Sequence, residues 1–315
     1  MIKIELSGKT KRIIINKHWK DINPTKNKIR ISFIDILKSN ITTIAKHPKL
    51  FNYLFDNSGN VKTQNIKKLI CGSKEDLENI IMRLDKFNEK DSKELVNNVF
   101  QYQKFSQRIW AKNLLKELNV RVCPYCNRQY TFTLNNQSVR PQFDHYYPKT
   151  KYPYLAISLF NLIPSCNICN QAKSTLDTYD KPILYPYEQE FGQQIYFITE
   201  SENLKYLQGI GDDFSINIDN YLHKLPDEVQ VQIKQLHLLT LYNEHKDYVV
   251  DLIQNFRINT PERIDEIMSL FPGMYNSKEE LMGKIFMNDI RKERWGNRPL
   301  AKLTHDIYKD INNKK

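Results

Sequence analysis

Three short stretches decide the fold of this chain: CPYC at residues 123–126, DHYYPK at 144–149 and NLIPSCNICNQAK at 161–173. The first and the third each contain two cysteines separated by two residues. This spacing lets both sulfurs of a pair reach one metal ion, and two such pairs match the tetrahedral preference of zinc. The sequence therefore predicts a zinc site made of Cys123, Cys126, Cys166 and Cys169.

Protein ligands fill all four positions of this site, so we expect the zinc to be structural and closed to substrate. Two alternatives stay open: four buried free cysteines, or a redox-active pair beside an unrelated second pair. The fifth cysteine, Cys71, stands apart and is expected to be a small buried side chain.

Polar residues follow in a fixed order between and directly after the cysteine pairs: Asp144, His145, Asn161 and Asn170. This order around two C-x-x-C knuckles resembles the HNH nucleases with a ββα-metal fold. Their pattern places Asp-His before x-x-Pro and Asn-Leu before the second knuckle, and the resemblance covers about one sixth of the chain. It departs at Asn170, where many members carry His, although an amide oxygen also suits Mg²⁺ or Mn²⁺.

The resemblance implies a role for each of these residues in phosphodiester hydrolysis. The reaction needs a base that activates water and a cation that offsets charge on the phosphate. His145 is the implied general base, and Asp144 and Asn170 are the implied ligands of one catalytic Mg²⁺ or Mn²⁺. Asn161 is expected to orient the histidine and the connecting loop.

Two lysines complete the expected site as phosphate contacts. Lys173 lies one helical turn beyond Asn170 and therefore on the same face, and Lys149 ends the DHYYPK stretch. The alternatives are a hydrogen-bonded pair of Asp144 and His145 at a strand end, and a helix cap at Asn170. Because the residues occur together and in order, we favour catalysis.

Charge is distributed unevenly along the chain. The net charge is +11, of which residues 1–122 carry +13, residues 123–180 carry +2 and residues 181–315 carry −4. A basic first third favours contact with a polyanion, and solvated surface lysines are the alternative. We predict the same three segments as domains: a basic, mainly helical N-terminal region, the nuclease core with its zinc knuckles, and a mainly helical C-terminal region.

Hydrophobic periodicity indicates an α+β protein, mainly helical around a small ββα-metal HNH core that the four-cysteine zinc site staples. Alternating apolar residues predict a short hairpin over residues 2–16. Helices are predicted after a capping signal at Ser73 and over residues 96–118. Strands are predicted over residues 128–134 and 139–147, around a polar turn.

The last third of the chain has a β-like segment at residues 195–218 and helical periodicity from residue 227 onward. Thr260 before Pro261 and Ser277 before Glu280 are predicted helix starts.

A longer resemblance, to HNH proteins of bacterial anti-phage systems such as Septu-type ATPase and nuclease pairs, rests on LNVRVCPYCNRQY, FDHYYPKTKYPYLAISLFNLIPSCNICN and RPLAKLTHDI. It implies a nuclease effector that docks on an ATPase subunit. The ATPase is expected to be a separate chain, because this chain has no G-x-x-x-x-G-K-[ST] loop. DNA is the expected substrate. No apolar run of membrane length and no secretory signal occurs, so we expect a cytoplasmic protein without a membrane partner.

Two other functions stay open. One is a non-catalytic zinc-knuckle module that binds nucleic acid or a protein, with Asp144 and His145 merely structural. The other is a toxin-like nuclease that cleaves RNA, since the motif does not decide the sugar. Four tyrosines near Lys149 and Lys151 could stack on bases or simply pack loops; they are Tyr146, Tyr147, Tyr152 and Tyr154.

Overall fold

The computed structural model describes residues 1–24, 30–134, 140–221, 224–286 and 288–314, which form two compact units. The first unit combines Ile4–Asn119 with Thr133–Pro182, and the second combines Met1–Lys3, Val120–Phe132 and Ile183–Lys315. Helices dominate both units, and each unit has one two-stranded sheet within these described stretches. The predicted α+β class is confirmed.

The first unit contains ten α-helices and one strand pair in its described residues. They are α1 (Gly8–Ile22), α2 (Phe33–Ser39), α3 (Ile41–Ala45), α4 (Pro48–Leu54), α5 (Thr63–Cys71), α6 (Lys74–Arg83), α7 (Glu89–Asn98), α8 (Tyr102–Ser106), α9 (Ile109–Leu118), β1 (Gln142–His145), β2 (Leu162–Ser165) and α10 (Asn167–Lys173). The capping box predicted for α6 is confirmed, because Ser73 Oγ accepts from Asp76 N and the Asp76 carboxylate accepts from Ser73 N. Local chemistry therefore sets the start of α6.

The predicted hairpin over residues 2–16 is wrong, because α1 occupies most of this segment. Ser7 caps the helix by accepting a hydrogen bond from Thr10 N at 3.1 Å. Ile14, His18 and Ile22 follow at four-residue spacing and are all buried. The isoleucines therefore follow a helical period. The cap at Ser7 and the buried face of α1 together outweigh the preference of β-branched residues for strands.

The helix predicted over residues 96–118 is interrupted twice. Gln101 has a φ of 46°, in the left-handed region that a right-handed helix cannot include, and Arg108 is extended with a ψ of 150°. The result is three short helices, α7, α8 and α9, instead of one.

Strand β1 pairs antiparallel with β2, with Asp144 opposite Ile163 and His145 opposite Leu162. Helix α10 follows β2 and packs on β1. The strand predicted over residues 139–147 is thus present at residues 142–145, whereas residue 139 and the predicted turn lie outside the described residues. The strand predicted over 128–134 is wrong.

Residues 128–134 fold back on the chain just before them instead of pairing with β1. Tyr130 forms a single antiparallel bridge with Val122, and Thr131 N donates to Arg121 O at 2.9 Å. The short C-x-x-C loop between these segments brings them together locally. Strand β1 therefore pairs with β2, which lies farther along the chain.

The second unit contains two strands and six α-helices in its described residues. They are β3 (Ile195–Glu200), β4 (Ser215–Asn220), α11 (Asp227–Gln235), α12 (Leu238–Asn243), α13 (Lys246–Ile258), α14 (Pro261–Leu270), α15 (Lys278–Ile285) and α16 (Ala301–Asn313). The predicted β-like segment is confirmed as an antiparallel pair. Both predicted helix starts are confirmed, because Thr260 accepts from Arg263 N and Ser277 accepts from Glu280 N.

Helix α16 packs along β3 and supplies acceptors to its backbone. Asp306 accepts from Phe197 N at 3.1 Å, and Asp310 accepts from Thr199 N at 2.8 Å. These carboxylates accept the backbone hydrogen bonds that a third strand would otherwise accept from β3. No helix in the described ranges combines the length and apolar content needed to cross a bilayer.

Candidate functional site

The first cysteine pair lies in a tight loop of the second unit, and hydrogen bonds within this unit hold the loop in place. Asn127 N donates to Cys123 O at 2.8 Å, and Arg128 N donates to Cys126 Sγ at 3.4 Å. Asn127 has a φ of 51°, a conformation that asparagine adopts more readily than most residues. Its buried side chain donates to Trp295 O at 2.9 Å, so packed backbone fixes the loop.

The second cysteine pair opens α10. Cys166 is the N-cap of this helix, and its Sγ accepts from Cys169 N at 3.4 Å. A backbone amide that donates to sulfur favours the thiolate, which is the form that binds metal.

The four predicted zinc cysteines meet. Their Sγ atoms lie within 4.8 Å of one another, all four side chains are buried, and none forms a disulfide. Four sulfurs at this separation suit a tetrahedral zinc ion with Zn–S distances of about 2.3 Å. The donor set fits zinc and leaves no coordination position for a substrate.

A separate cleft of about 440 Å³ lies along β1 in the first unit. Its walls bring together four of the residues expected at the catalytic site: Asp144, His145, Lys149 and Asn170. The other two, Asn161 and Lys173, are fully buried and do not line it.

His145 is held in one orientation at the cleft wall. Its Nε2 donates to the Ala156 carbonyl at 2.9 Å, and the Tyr102 ring lies edge-on to the imidazole with centroids 4.4 Å apart. Burial, helped by the nearby cations of Lys149 and Lys173, holds the pKa of His145 well below its usual 6.5. The ring is therefore neutral at neutral pH, with Nδ1 available to accept a proton.

Asn161 ties the loop after β1 to the residues before β2. Its Oδ1 accepts from Tyr147 N at 2.7 Å, and its Nδ2 donates to the carbonyls of Tyr147 and Leu155, each at 3.0 Å. Leu155 directly precedes Ala156, whose carbonyl holds His145. All three side-chain bonds of this buried amide thus support the loop that carries the imidazole and its acceptor.

Lys173 lies behind the cleft and contacts Asp144. Its Nζ is 3.2 Å from Asp144 Oδ2 and donates to the His145 carbonyl at 2.6 Å. The ammonium is thus directed at the buried carboxylate, whereas the sequence predicted a phosphate contact.

Asp144 and Asn170 offer hard oxygen donors at the cleft. Asn170 Nδ2 donates to Gln142 Oε1 at 2.5 Å, which leaves Asn170 Oδ1 for another partner. Mg²⁺ sites commonly use one or two protein oxygens and complete the shell with water and substrate phosphate. The two residues fit such an ion.

Lys149, the other lysine predicted as a phosphate contact, lies on the cleft wall. Its Nζ lies 5.4 Å from the centroid of the Tyr102 ring, a cation–π distance. Burial and the nearby Lys173 lower the pKa of Lys149.

The sequence interpretation missed several further cleft residues, among them Tyr102, Arg140 and Gln142. Arg140 Nη2 donates to the Ser106 carbonyl at 3.0 Å, which places its guanidinium in the wall. Closeness in sequence to Asp144 and His145 could have pointed to Arg140 and Gln142, because the whole segment from Arg140 to His145 lines the cleft. No local signal marks Tyr102, which comes from α8.

The tyrosines next to the motif pack the loop. Each of them is at most 1% exposed, so none can stack on a base in this structure; they are Tyr146, Tyr147, Tyr152 and Tyr154. The packing alternative is the one that holds.

The fold and the site together define an α+β protein with a four-cysteine cluster able to hold zinc and a neighbouring His, Asp and Asn cleft. Part of the chain is similar to the Septu protein PtuB of Bacillus thuringiensis, with 34% identity over 82 residues. The match spans 25% of this chain and 30% of that protein. No protein-family model matches the chain, and no solved structure matches it.

Proposed function

We propose that this chain is a metal-dependent HNH endonuclease that hydrolyses phosphodiester bonds, with DNA as its substrate. The observation that carries the proposal is the neutral, oriented imidazole of His145, which lines one cleft with Asp144, Asn170 and Lys149. A base, two oxygen donors and a cation are the groups that this hydrolysis needs.

His145 acts as the general base in this proposal. Its Nε2 keeps its proton because the Ala156 carbonyl accepts it, so Nδ1 takes the proton of the attacking water. The edge of Tyr102 prevents rotation of the ring, and Asn161 holds the loop that positions both His145 and its acceptor.

Asp144 and Asn170 hold a Mg²⁺ or Mn²⁺ ion at the cleft. When bound, this ion offsets the charge that grows on the phosphate and on the leaving oxygen. Lys173 pairs with the Asp144 carboxylate and holds it in position. It is thereby a positioning residue and not a phosphate contact.

Lys149 and Arg140 are the proposed contacts to the substrate backbone. Both line the cleft, and Arg140 is oriented by its bond to Ser106. Ammonium and guanidinium groups attract phosphates without reading sequence, so these two residues position the strand for attack.

The partial similarity to the Septu protein PtuB supports a role in bacterial anti-phage defence. In this proposal the chain is the nuclease effector of a cytoplasmic system and acts with an ATPase subunit. The four cysteines, Cys123, Cys126, Cys166 and Cys169, hold structural zinc and take no part in the reaction.

Cleavage of plasmid DNA by the purified chain with added Mg²⁺ or Mn²⁺ tests this function. Conversion of supercoiled plasmid to nicked or linear forms, absent in a parallel His145→Ala preparation, is the expected result. Retardation of the plasmid without cleavage under every metal condition would contradict it and favour a zinc-knuckle binding module. Single-stranded RNA as a second substrate separates the toxin-like alternative.

A further inference from the structure

A second pocket, of about 510 Å³, lies in the second unit and combines cations with aromatic rings. Its wall includes Arg121, Tyr130, Phe132, Lys284, Arg291 and Arg294, and we call it the arginine–aromatic pocket. None of these residues has a role in the proposed nuclease cleft, which belongs to the first unit.

Tyr130 and Phe132 form an aromatic surface that faces solvent. Their rings are stacked, with centroids 4.3 Å and planes 21° apart. The side chains are 48% and 45% exposed, whereas Thr131 between them is buried, so extended backbone directs both rings outward. An exposed ring pair of this kind offers a π-face on which a nucleic-acid base can stack.

Positive charge exceeds negative charge on this wall, which has five Lys and Arg side chains and two carboxylates, Glu280 and Asp289. Asp289 already binds Arg291 through two hydrogen bonds at 2.8 and 2.5 Å. Glu280 accepts from Asn276 at 2.9 Å. In the part of the chain that the structure describes, no carboxylate lies within ion-pair distance of three of the four other cations on the wall; these three are Arg121, Lys284 and Arg294.

The wall that carries two of the arginines is built on a buried anchor. Trp295 is 1% exposed, and the turn before it is closed by the bond from Arg294 N to Arg291 O at 3.0 Å. Guanidinium groups presented from a packed turn lose less conformational freedom when a ligand binds.

We propose that the arginine–aromatic pocket binds a nucleotide, with its base stacked on the Tyr130 and Phe132 rings and its phosphate facing the arginines. The ligand must supply both a planar aromatic group and negative charge, and a nucleotide does so whether it is free or part of a strand. An acidic peptide would satisfy the cations but would leave the stacked rings without a planar partner. This site is additional to the proposed nuclease activity and does not depend on it.

Fluorescence anisotropy with two labelled probes tests the proposal. The probes are a single-stranded DNA oligonucleotide of about 12 nucleotides, long enough to follow a groove, and a ribose-labelled ATP. The measurements use full-length His145→Ala protein without added Mg²⁺ or Mn²⁺, so no turnover contributes. Tyr130→Ala and Arg294→Glu remove one ring and one cation. Tyr221→Ala and Arg263→Glu are matched exposed controls in the same unit.

Tyr130→Ala is expected to weaken binding roughly 5- to 100-fold, the range for losing one stacked base contact, while Tyr130→Trp keeps it. Arg294→Glu is expected to weaken binding and to lower the salt dependence, because one phosphate contact is lost. Both control variants should bind as the parent does. ATP that binds and is displaced by the oligonucleotide identifies a free-nucleotide site. Oligonucleotide binding that the pocket variants weaken, without binding of ATP, identifies a strand site.

The proposal is overturned if neither probe binds, or if the pocket variants bind like the controls. Thermal melts check the fold of each variant, and if Tyr130→Ala melts early, Arg294→Glu and Arg121→Glu carry the test. Because the assay measures binding without cleavage, its result stays separate from success or failure of the proposed nuclease function.

Discussion

The ammonium of Lys173 lies 3.2 Å from a carboxylate oxygen of Asp144, and the two side chains are 0% and 4% exposed. A buried charge is costly unless it is paired. The pair therefore holds the Asp144 carboxylate at the wall of the cleft, where the proposed Mg²⁺ or Mn²⁺ would bind.

Lys173→Met is expected to lower the free energy of unfolding by about 3–5 kcal/mol, because it removes the buried cation that pairs with the Asp144 carboxylate. Urea denaturation measures this loss. Lys149→Met is the matched control, since Lys149 lines the open cleft; it should weaken DNA binding and leave stability nearly unchanged. If the Lys173→Met protein is as stable as the parent and loses only DNA affinity, Lys173 contacts phosphate as the sequence predicted.

His145→Ala is expected to reduce the cleavage rate by about 10² to 10⁴, the usual cost of losing a general base. Zinc content, melting temperature and DNA affinity should stay close to those of the parent, because the base acts only on water at the chemical step. His237→Asn, at an exposed histidine, is the control and should cleave normally. Full cleavage activity in the His145→Ala protein would show that another residue is the general base.

Cys166→Ser is expected to lower both zinc content and melting temperature, since binding of structural zinc is coupled to folding. Elemental analysis and thermal melts measure the two quantities. Cys71→Ala is the control, because Cys71 is buried outside the cluster and should leave zinc content unchanged. Retention of zinc and of the melting temperature, with loss of cleavage alone, would contradict a structural role for the cysteines.

Stability should fall as pH falls from about 6.5 to 4, the window in which unfolded and folded histidines differ. Burial lowers the pKa of His18 to about 4, although its bond to the Ile157 carbonyl opposes this shift, and burial lowers the pKa of His305 to about 4 as well. In this window the unfolded chain takes up protons that the folded chain refuses, so acid favours unfolding, by at most about 1.4 kcal/mol per pH unit for each group.

Urea denaturation at several pH values measures this effect. His18→Gln and His305→Asn should each make stability less dependent on pH between 4 and 6.5, relative to the parent. The intrinsic cost of each substitution does not enter, because only the slope is compared. Variants with the same pH slope as the parent would show that these two histidines do not titrate as described.

Several features could be predicted from the sequence because they depend on residues a few positions apart. The capping box of Ser73 and Asp76 and the two knuckles belong to this group. The isoleucines of residues 2–16 show the limit of such reasoning, because alternation and helical spacing overlap in a short apolar run. There the cap at Ser7 and the buried face of α1 decide in favour of the helix.

The sequence by itself determined the α+β class, the zinc-type cysteine spacing and the identity of the candidate base, because residue chemistry and local spacing are sufficient for these. Only the tertiary structure decided that Lys173 pairs with Asp144 and that Tyr102 packs on His145. Such contacts join residues that are distant along the chain, and burial makes them strong by removing competing water. Local sequence patterns do not predict which distant side chains will be buried together away from water.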